Sequence, residues 1–296
     1  KILGKRVGIE IKTGDFAQGS KKQKIYDLNK TASDFYHYIL TKHKAGEKAL
    51  EYLLKKRKIN KGLIESFGLG FAPSNSSLSR YLLSKKKTPR QDLMEAGLSF
   101  QSRGEVVDFF RGRIIFPLTD SRGNILGFSA RGLLDSDTPK YINTKETMVY
   151  HKGSTFFGIN KALPEIKEKK EAIVMEGEFD VISAFREGIK NSIAIKGTAL
   201  TSEQSVYLSR ISEKIILCLD QDEAGVEATK RSLAVLENTD LSVYVAKLEG
   251  NKDPDEALNK SPSVFKKQIK ESIGAYDFLI ENAISKFDSK TFEGKK

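Results

Sequence analysis

From Glu171 onward the chain repeats one local pattern three times: a short apolar run, a polar or glycine turn, then a helix-like segment. "EAIVMEGE" leads into "FDVISAFREG", "NSIAIKGTAL" into "TSEQSVYLSRI", and "KIILCLDQDEAG" into "VEATKRSLAVL". A fourth apolar run, "LSVYVAKLEG", follows. Apolar runs this short, bounded by glycine and acids, read as strands covered on both faces. Strands alternating with helices predict a small parallel α/β sheet. Sheets of this kind bind ligands beyond the carboxyl ends of their strands, so the residues that end each run are where chemistry is expected.

Those residues are acids. "IVMEGEFD" supplies Glu176, Glu178 and Asp180; "LCLDQDEAG" supplies Asp220, Asp222 and Glu223; "GNKDPDEAL" supplies Asp253 and Asp255 around Pro254. On an extended segment residues i and i+2 point the same way, so Asp220 and Asp222 present two carboxylates on one side. Two like charges about 5 Å apart repel by roughly 3 kcal/mol at an effective dielectric of 20. Taken singly, each acid reads as a helix cap or a first-turn residue. Together, at the ends of strands of one sheet, they call for a cation. Oxygen donors with no His or Cys ligand beside them favour a hard ion, Mg²⁺, Mn²⁺ or Ca²⁺.

The charge is divided along the chain. The total is +11, but residues 1–170 hold 33 Lys and Arg against 17 Asp and Glu, whereas 171–296 hold 17 against 22. A basic part attracts a polyanion and local acid clusters attract a cation. Hydrophobic content of 39% suits a globular protein, and no apolar run approaches the roughly 18 residues of a membrane span. One cysteine, Cys218, and three histidines exclude an internal disulfide and a Cys-rich zinc site, and point to a cytoplasmic location. The chain starts at Lys1 rather than Met, so a fragment of a longer protein is expected.

The expected organisation is α/β, α+β overall, in four parts. Residues 1–25 form a linker or tail, because "IKTGDFAQGSKKQK" is polar and Gly/Lys-rich. Residues 26–170 form a basic mixed α+β subdomain. It opens with helical periodicity from Tyr26 to Lys58 that breaks at Gly46, and has a hairpin turn at "DSRGN", Asp120–Asn124. Residues 171–252 carry the parallel sheet, and a helical segment runs from Asp253 to the end. The runs Lys55–Lys58 and Lys85–Lys87 read as solvated helix faces.

Glu–Gly–x–x–Asp after one strand, Asp–x–Asp–x–x–Gly after a later one, and a further acid pair resemble the Toprim fold. Bacterial DnaG-type primases, type IA and type II topoisomerases and some nucleases share that fold. "IKGTALTSEQ", "FGLGFAP", "FRGRIIFPLTDSRGNILGFSARGL" and "TPKYINTKETMVYHKGSTFFGINKA" resemble the primase RNA-polymerase core in particular. The resemblance runs from "LGKRVGIEI" to "FDSKTFEGKK". It implies synthesis of short RNA primers on a single-stranded DNA template from ribonucleoside triphosphates, with two or more Mg²⁺ or Mn²⁺ ions. By the same resemblance Glu176, Asp220 and Asp222 are the main ligands and catalytic residues, with Asp180, Asp253 and Asp255 as secondary ligands or supports. Arg80, Arg113, Arg131, Lys140, Tyr141, Asn143 and Lys152 fall in motifs that resemble the nucleotide- and template-binding ridge. An aromatic between Lys and Asn suits base stacking and hydrogen bonding to the backbone.

Two departures stand out. Glu178 and Phe179 occupy positions where the family often has an aromatic and a hydrophobic residue, so Glu178 need not be a ligand. The family's zinc-binding and helicase-binding domains are not in the sequence, so coupling to a replicative helicase is expected through a domain outside it. The isolated core is expected to be a monomer. A metal-dependent Toprim nuclease or topoisomerase fragment, and a non-catalytic single-strand-binding module, are the alternatives. The first would not need the "KYINT" and "FRGRIIFP" elements, and the second would keep DNA binding without turnover.

Overall fold

A computed structural model describes residues 13–286, apart from 135–136, 198 and 249. The ends of the primase-like match, "LGKRVGIEI" (Leu3–Ile11) and "FDSKTFEGKK" (Phe287–Lys296), lie outside the described residues, as do residues 1–12 of the tail expected over residues 1–25. The chain divides into two compact units. One takes residues up to Tyr52, then Gly68–Pro117 and Asn124–His151; the other takes Leu53–Phe67, Leu118–Gly123 and the chain from Lys152 onward.

The first unit opens with α1 (Thr13–Lys42). Much of the stretch expected as linker is therefore helix. Residues 18–24 are all exposed and polar or Gly, so they carry no apolar periodicity, yet Lys and Gln are good helix formers and extend the turns that Ile25 and Tyr36 anchor. A 3-10 turn at Lys44–Gly46 ends this helix before α2 (Glu47–Glu51), at the glycine where the break is expected. β1 (Gly70–Ala72) pairs antiparallel with β4 (Arg113–Thr119), which neighbours β5 (Ile125–Gly132), which pairs antiparallel with β6 (Tyr141–Asn143). The turn between β4 and β5 is "DSRGN", as expected. α1 lies so close to β1 that a side chain at Gly70 would overlap Tyr36. Tyr36, Phe110, Ile115 and Phe128 centre the apolar core here.

The second unit is built on a six-stranded sheet. Its centre is four parallel strands in the order β11 (Ser242–Val245), β10 (Lys214–Leu217), β8 (Glu171–Met175), β9 (Ser192–Ile195). Two short antiparallel strands close the edges: β7 (Phe156–Phe157) beside β9, and β12 (Ile273–Gly274) beside β11. Neither edge strand was expected, since two residues are too few to show a period. β12 also interrupts the continuous helix expected after Asp253. Alternate strand residues Val174, Ile193, Ile215 and Leu217 join one core cluster, and the opposite set Ile173, Met175, Ala194 and Ile216 is buried as well. Both faces are covered, which is why these strands read as continuous apolar runs. Helices α7 (Glu178–Arg186), α9 (Glu223–Leu236) and α10 (Pro254–Lys260) each start just beyond the sheet's carboxyl edge. Among the described residues no helix is long and apolar enough to cross a membrane.

Candidate functional site

Strand register brings the acids together. β8 and β10 pair with Val174 opposite Leu217, so the two chains leave the sheet side by side. Glu176 then accepts the Asp220 backbone N–H at 3.2 Å through Oε1. Asp222 is the N-cap of α9 and accepts the Gly225 N–H at 2.9 Å through Oδ1. Gly225 is required here, because any Cβ on it would overlap the Asp220 carbonyl oxygen. Asp253 caps α10 in the same way, accepting Glu256 N–H at 2.8 Å through Oδ1. A cap uses one carboxylate oxygen, so capping does not exclude a ligand role.

Asp180 and Asp255 are placed differently. Asp180 is buried; its Oδ2 accepts the Gly177 N–H at 2.9 Å and its Oδ1 the Asp255 N–H at 3.0 Å. Asp255 bonds Arg57 Nη1 through Oδ2 at 2.6 Å, and its Oδ1 accepts from Ser183 Oγ at 2.5 Å and Asn259 Nδ2 at 2.9 Å. Both oxygens of these two carboxylates are engaged within the protein. Glu176, Asp222 and Asp253 each use one in the bonds above.

The electrostatics show how closely the six sit. Burial pushes the Asp220 carboxyl up to about 7, helped by the charges of Glu176, Asp253 and Asp222, with Lys252 opposing. Burial also lifts Asp180 well above the usual range, as do the charges of Asp253, Asp220 and Asp255. Glu176 is raised by burial and by Asp222, against the Asp220 N–H it accepts. Every one of the six acids thus presses on another. Among the described residues no three or more acid, His or Cys side chains are drawn in as a closed metal cage. The donor set nevertheless fits a hard cation: oxygen only, crowded, and short of positive charge.

A pH dependence follows. Asp220 holds its proton at about 7 in the fold against an ordinary 3.8, so the folded state binds it more tightly than the unfolded chain. Metal-free stability is then expected to fall as pH rises from about 4 to about 7 and to level off above. Thermal melts in chelator across that range check the sign. A melting temperature that rises over this window would contradict the crowding of the acids, and Mg²⁺ is expected to raise it above pH 7.

Five of the expected template residues, Arg113, Arg131, Lys140, Tyr141 and Asn143, lie on or beside β4, β5 and β6 of the first unit's sheet. Arg113 opens β4 opposite Ala72, and its Nη1 donates to the Lys140 carbonyl at 3.3 Å. Tyr141 lies opposite Arg131 across the β5–β6 pair. Lys140 is exposed, while Arg113, Tyr141 and Asn143 are half-buried. Asn143 shares the Tyr141 side of the strand, and its Oδ1 is buried without a hydrogen-bond partner among the described residues. Arg80 is exposed on α4 (Ser77–Ser84), and Lys152 is exposed in a 3-10 turn of the second unit. Arg131 departs from expectation. It is 2% exposed, with its guanidinium 5.3 Å from the Tyr52 ring centroid and 6.0 Å from that of Tyr141. An arginine held between two rings braces Tyr141 rather than offering a charge to solvent.

Two ion pairs near these acids are not legible in the sequence. Glu178, at 1% exposure, forms a buried ion pair with Lys196, the residue after β9. Arg57, placed by its lysine-rich run on a solvated face, instead reaches Asp255 and lies over the Phe179 ring. Neither partner is near in sequence, so no periodicity carries the signal. The one hint was that Glu178 and Phe179 replace residues of another type.

Comparison with known proteins agrees with this architecture. A model of the N-terminal domain of the DNA primase catalytic core matches residues 35–163, and a Toprim-like model matches residues 173–258. The DNA primase of Listeria monocytogenes is 37% identical over 255 residues, covering 85% of this chain and 41% of the relative. The chain spans about 40% of the length of the first such relatives. A DNA primase domain from Pseudomonas aeruginosa, solved by crystallography, is 33% identical with a TM-score of 0.82, covering 92% of this chain and 86% of that one. A DnaG primase catalytic domain solved with single-stranded DNA bound is 29% identical with a TM-score of 0.81, covering 93% and 87%. With matched models over both the strand–turn–helix half and the basic half, and one fold shared over nearly all of a primase domain, the chain belongs to the catalytic-core family of the DnaG-type DNA primases.

Proposed function

We propose that this chain synthesises short RNA primers on a single-stranded DNA template by nucleotidyl transfer from ribonucleoside triphosphates. The observation that carries the proposal is the convergence of Glu176, Asp220 and Asp222 at neighbouring strand ends, where burial and neighbouring acids raise Glu176 and Asp220, in a chain of primase-core fold. Glu176, Asp220 and Asp222, with Asp253 beside them, are the residues that would hold Mg²⁺ or Mn²⁺. Asp180 and Asp255, with both oxygens engaged, support them. Bound there, such ions supply Lewis-acid stabilisation of phosphoryl charge and lower the pKa of an attacking hydroxyl. Phosphoryl transfer asks little else of side chains beyond charge and position, so none of these acids is assigned as a general base.

Template binding falls to residues of the basic stretch 1–170, namely Arg80, Arg113, Lys140, Tyr141, Asn143 and Lys152. Arg131 enters as the brace for Tyr141. The relative solved with single-stranded DNA supports this reading. We place the protein in the bacterial cytoplasm, monomeric in this portion, with a replicative helicase engaged through parts of the relatives that this chain does not span.

Single-stranded DNA affinity is expected to fall with salt at a slope of about −0.7 per phosphate neutralised. Arg113→Ala and Lys140→Ala are each expected to shallow that slope by about 0.7, because each removes one phosphate partner. Fluorescence anisotropy over a salt series measures it; an unchanged slope in both variants would remove them from the template surface. The activity itself is tested with a single-stranded DNA template, four ribonucleotides and Mg²⁺ or Mn²⁺. Ion-dependent short RNA is the expected product, and shortened DNA in its place would make the site a nuclease.

A further inference from the structure

We propose that Arg57 is a positioning residue of the acid site, acting through Asp255; this rests on the strand-end acids being a metal site. Arg57 lies just past the π-helical turn Tyr52–Lys56, far from the sheet in sequence. Its Nη1 meets Asp255 Oδ2 at 2.6 Å, and its guanidinium sits 4.3 Å from the Phe179 ring centroid. The two side chains are 21% and 9% exposed. A carboxylate so far from water keeps its charge only with a cation and full hydrogen bonding. Asp255 has both: Arg57 on one oxygen, Ser183 and Asn259 on the other.

With its side chain held this way, Asp255 turns its backbone toward the site. Its N–H donates to Asp180 Oδ1, and Asp180 Oδ2 in turn accepts the Gly177 N–H. Gly177 is the residue after Glu176 and the N-cap of α7. A continuous series of bonds therefore runs from Arg57 through Asp255 and Asp180 to the turn that presents Glu176. Removing Arg57 leaves a buried carboxylate without its cation, and Asp255 must move or hydrate. Its N–H then leaves Asp180, and the turn beneath Glu176 loses its brace. Lysine replaces this poorly, because one ammonium cannot both lie flat on Phe179 and reach Asp255 as the planar fork does.

The test is Mn²⁺ binding to the chain by electron spin resonance or calorimetry, for wild type, Arg57→Lys, Arg57→Met and Arg57→Met/Asp255→Asn. Melting temperature and single-stranded DNA affinity are measured on the same samples. Arg57→Met is expected to weaken Mn²⁺ binding about 10- to 100-fold, and Arg57→Lys about tenfold, the range seen when outer-shell partners of metal ligands are removed. DNA affinity should not change. The double variant should recover melting temperature, since no unpaired charge remains buried, without recovering Mn²⁺ affinity. Mn²⁺ binding by Arg57→Met within about threefold of wild type, against that expected range, overturns the proposal; if Arg57→Met does not fold, the same result for Arg57→Lys does so. A double variant that regains Mn²⁺ affinity together with stability also overturns it, by showing that Arg57 only offsets a buried charge. Wild type that binds no Mn²⁺ overturns the metal site itself, a failure distinct from that of Arg57.

Discussion

Asp222→Asn is expected to abolish primer synthesis while single-stranded DNA binding and melting temperature stay near wild type. Asp222 does two jobs that the substitution separates. As N-cap of α9 it accepts the Gly225 N–H, and asparagine caps a helix about as well as aspartate. As a carboxylate it adds negative charge beside Asp220 and Glu176, and asparagine does not. A metal site contributes several kcal/mol to phosphoryl transfer, so loss of one main ligand should lower turnover by about 10²- to 10⁴-fold, at 1.36 kcal/mol per tenfold. Asp222→Ala should be as inactive but also less stable by about 1 kcal/mol, the usual cost of a lost cap. Gel assays of RNA product beside thermal melts read both effects. Asp222→Asn retaining more than about a tenth of wild-type turnover would mean that Asp222 only caps its helix.

Lys196→Met should produce the largest loss of stability. The Glu178–Lys196 pair is almost wholly buried, with side chains 2% and 5% exposed. Removing one partner of such a pair leaves an uncompensated charge in the interior, which costs about 3–5 kcal/mol. At about 2–4 °C per kcal/mol for a domain of this size, the melting temperature should drop by about 6–20 °C. Glu178→Leu/Lys196→Met should return to within about 1 kcal/mol of wild type or exceed it, because apolar residues of similar volume replace buried ion pairs without loss. Thermal melts of the two single variants and the double variant close the cycle. A double variant as unstable as Lys196→Met would show that Lys196 is held by its surroundings rather than by Glu178. Within the fold Lys196 engages the Glu178 carboxylate, which lies two residues along the chain from both Glu176 and Asp180.

The sequence by itself determined the elements that depend on local order. The strand–turn–helix units from Glu171, the glycine break at Gly46, the turn at Asp120–Asn124 and the acids at the strand ends are all where the pattern puts them. A period of 2 or 3.6 and a turn residue act over a few positions, and the chain carries that information in place. Edge strands of two residues, Phe156–Phe157 and Ile273–Gly274, were not legible, because pairing with a distant neighbour rather than local pattern makes them strands. Helix α1 began earlier than expected, since helix propensity without an apolar stripe looks the same as a polar tail.

Only the tertiary structure decided which partner each charge meets. Register between β8 and β10 set Glu176 against Asp220, and folding brought Arg57 to Asp255 across 198 positions. It buried Arg131 between two tyrosine rings while leaving Lys140 exposed. A lysine-rich run, a lone acid or an arginine in a motif reads alike whether it meets water, a ring or a carboxylate. Burial and partner distance govern the energy of a charge, and both are properties of the folded chain.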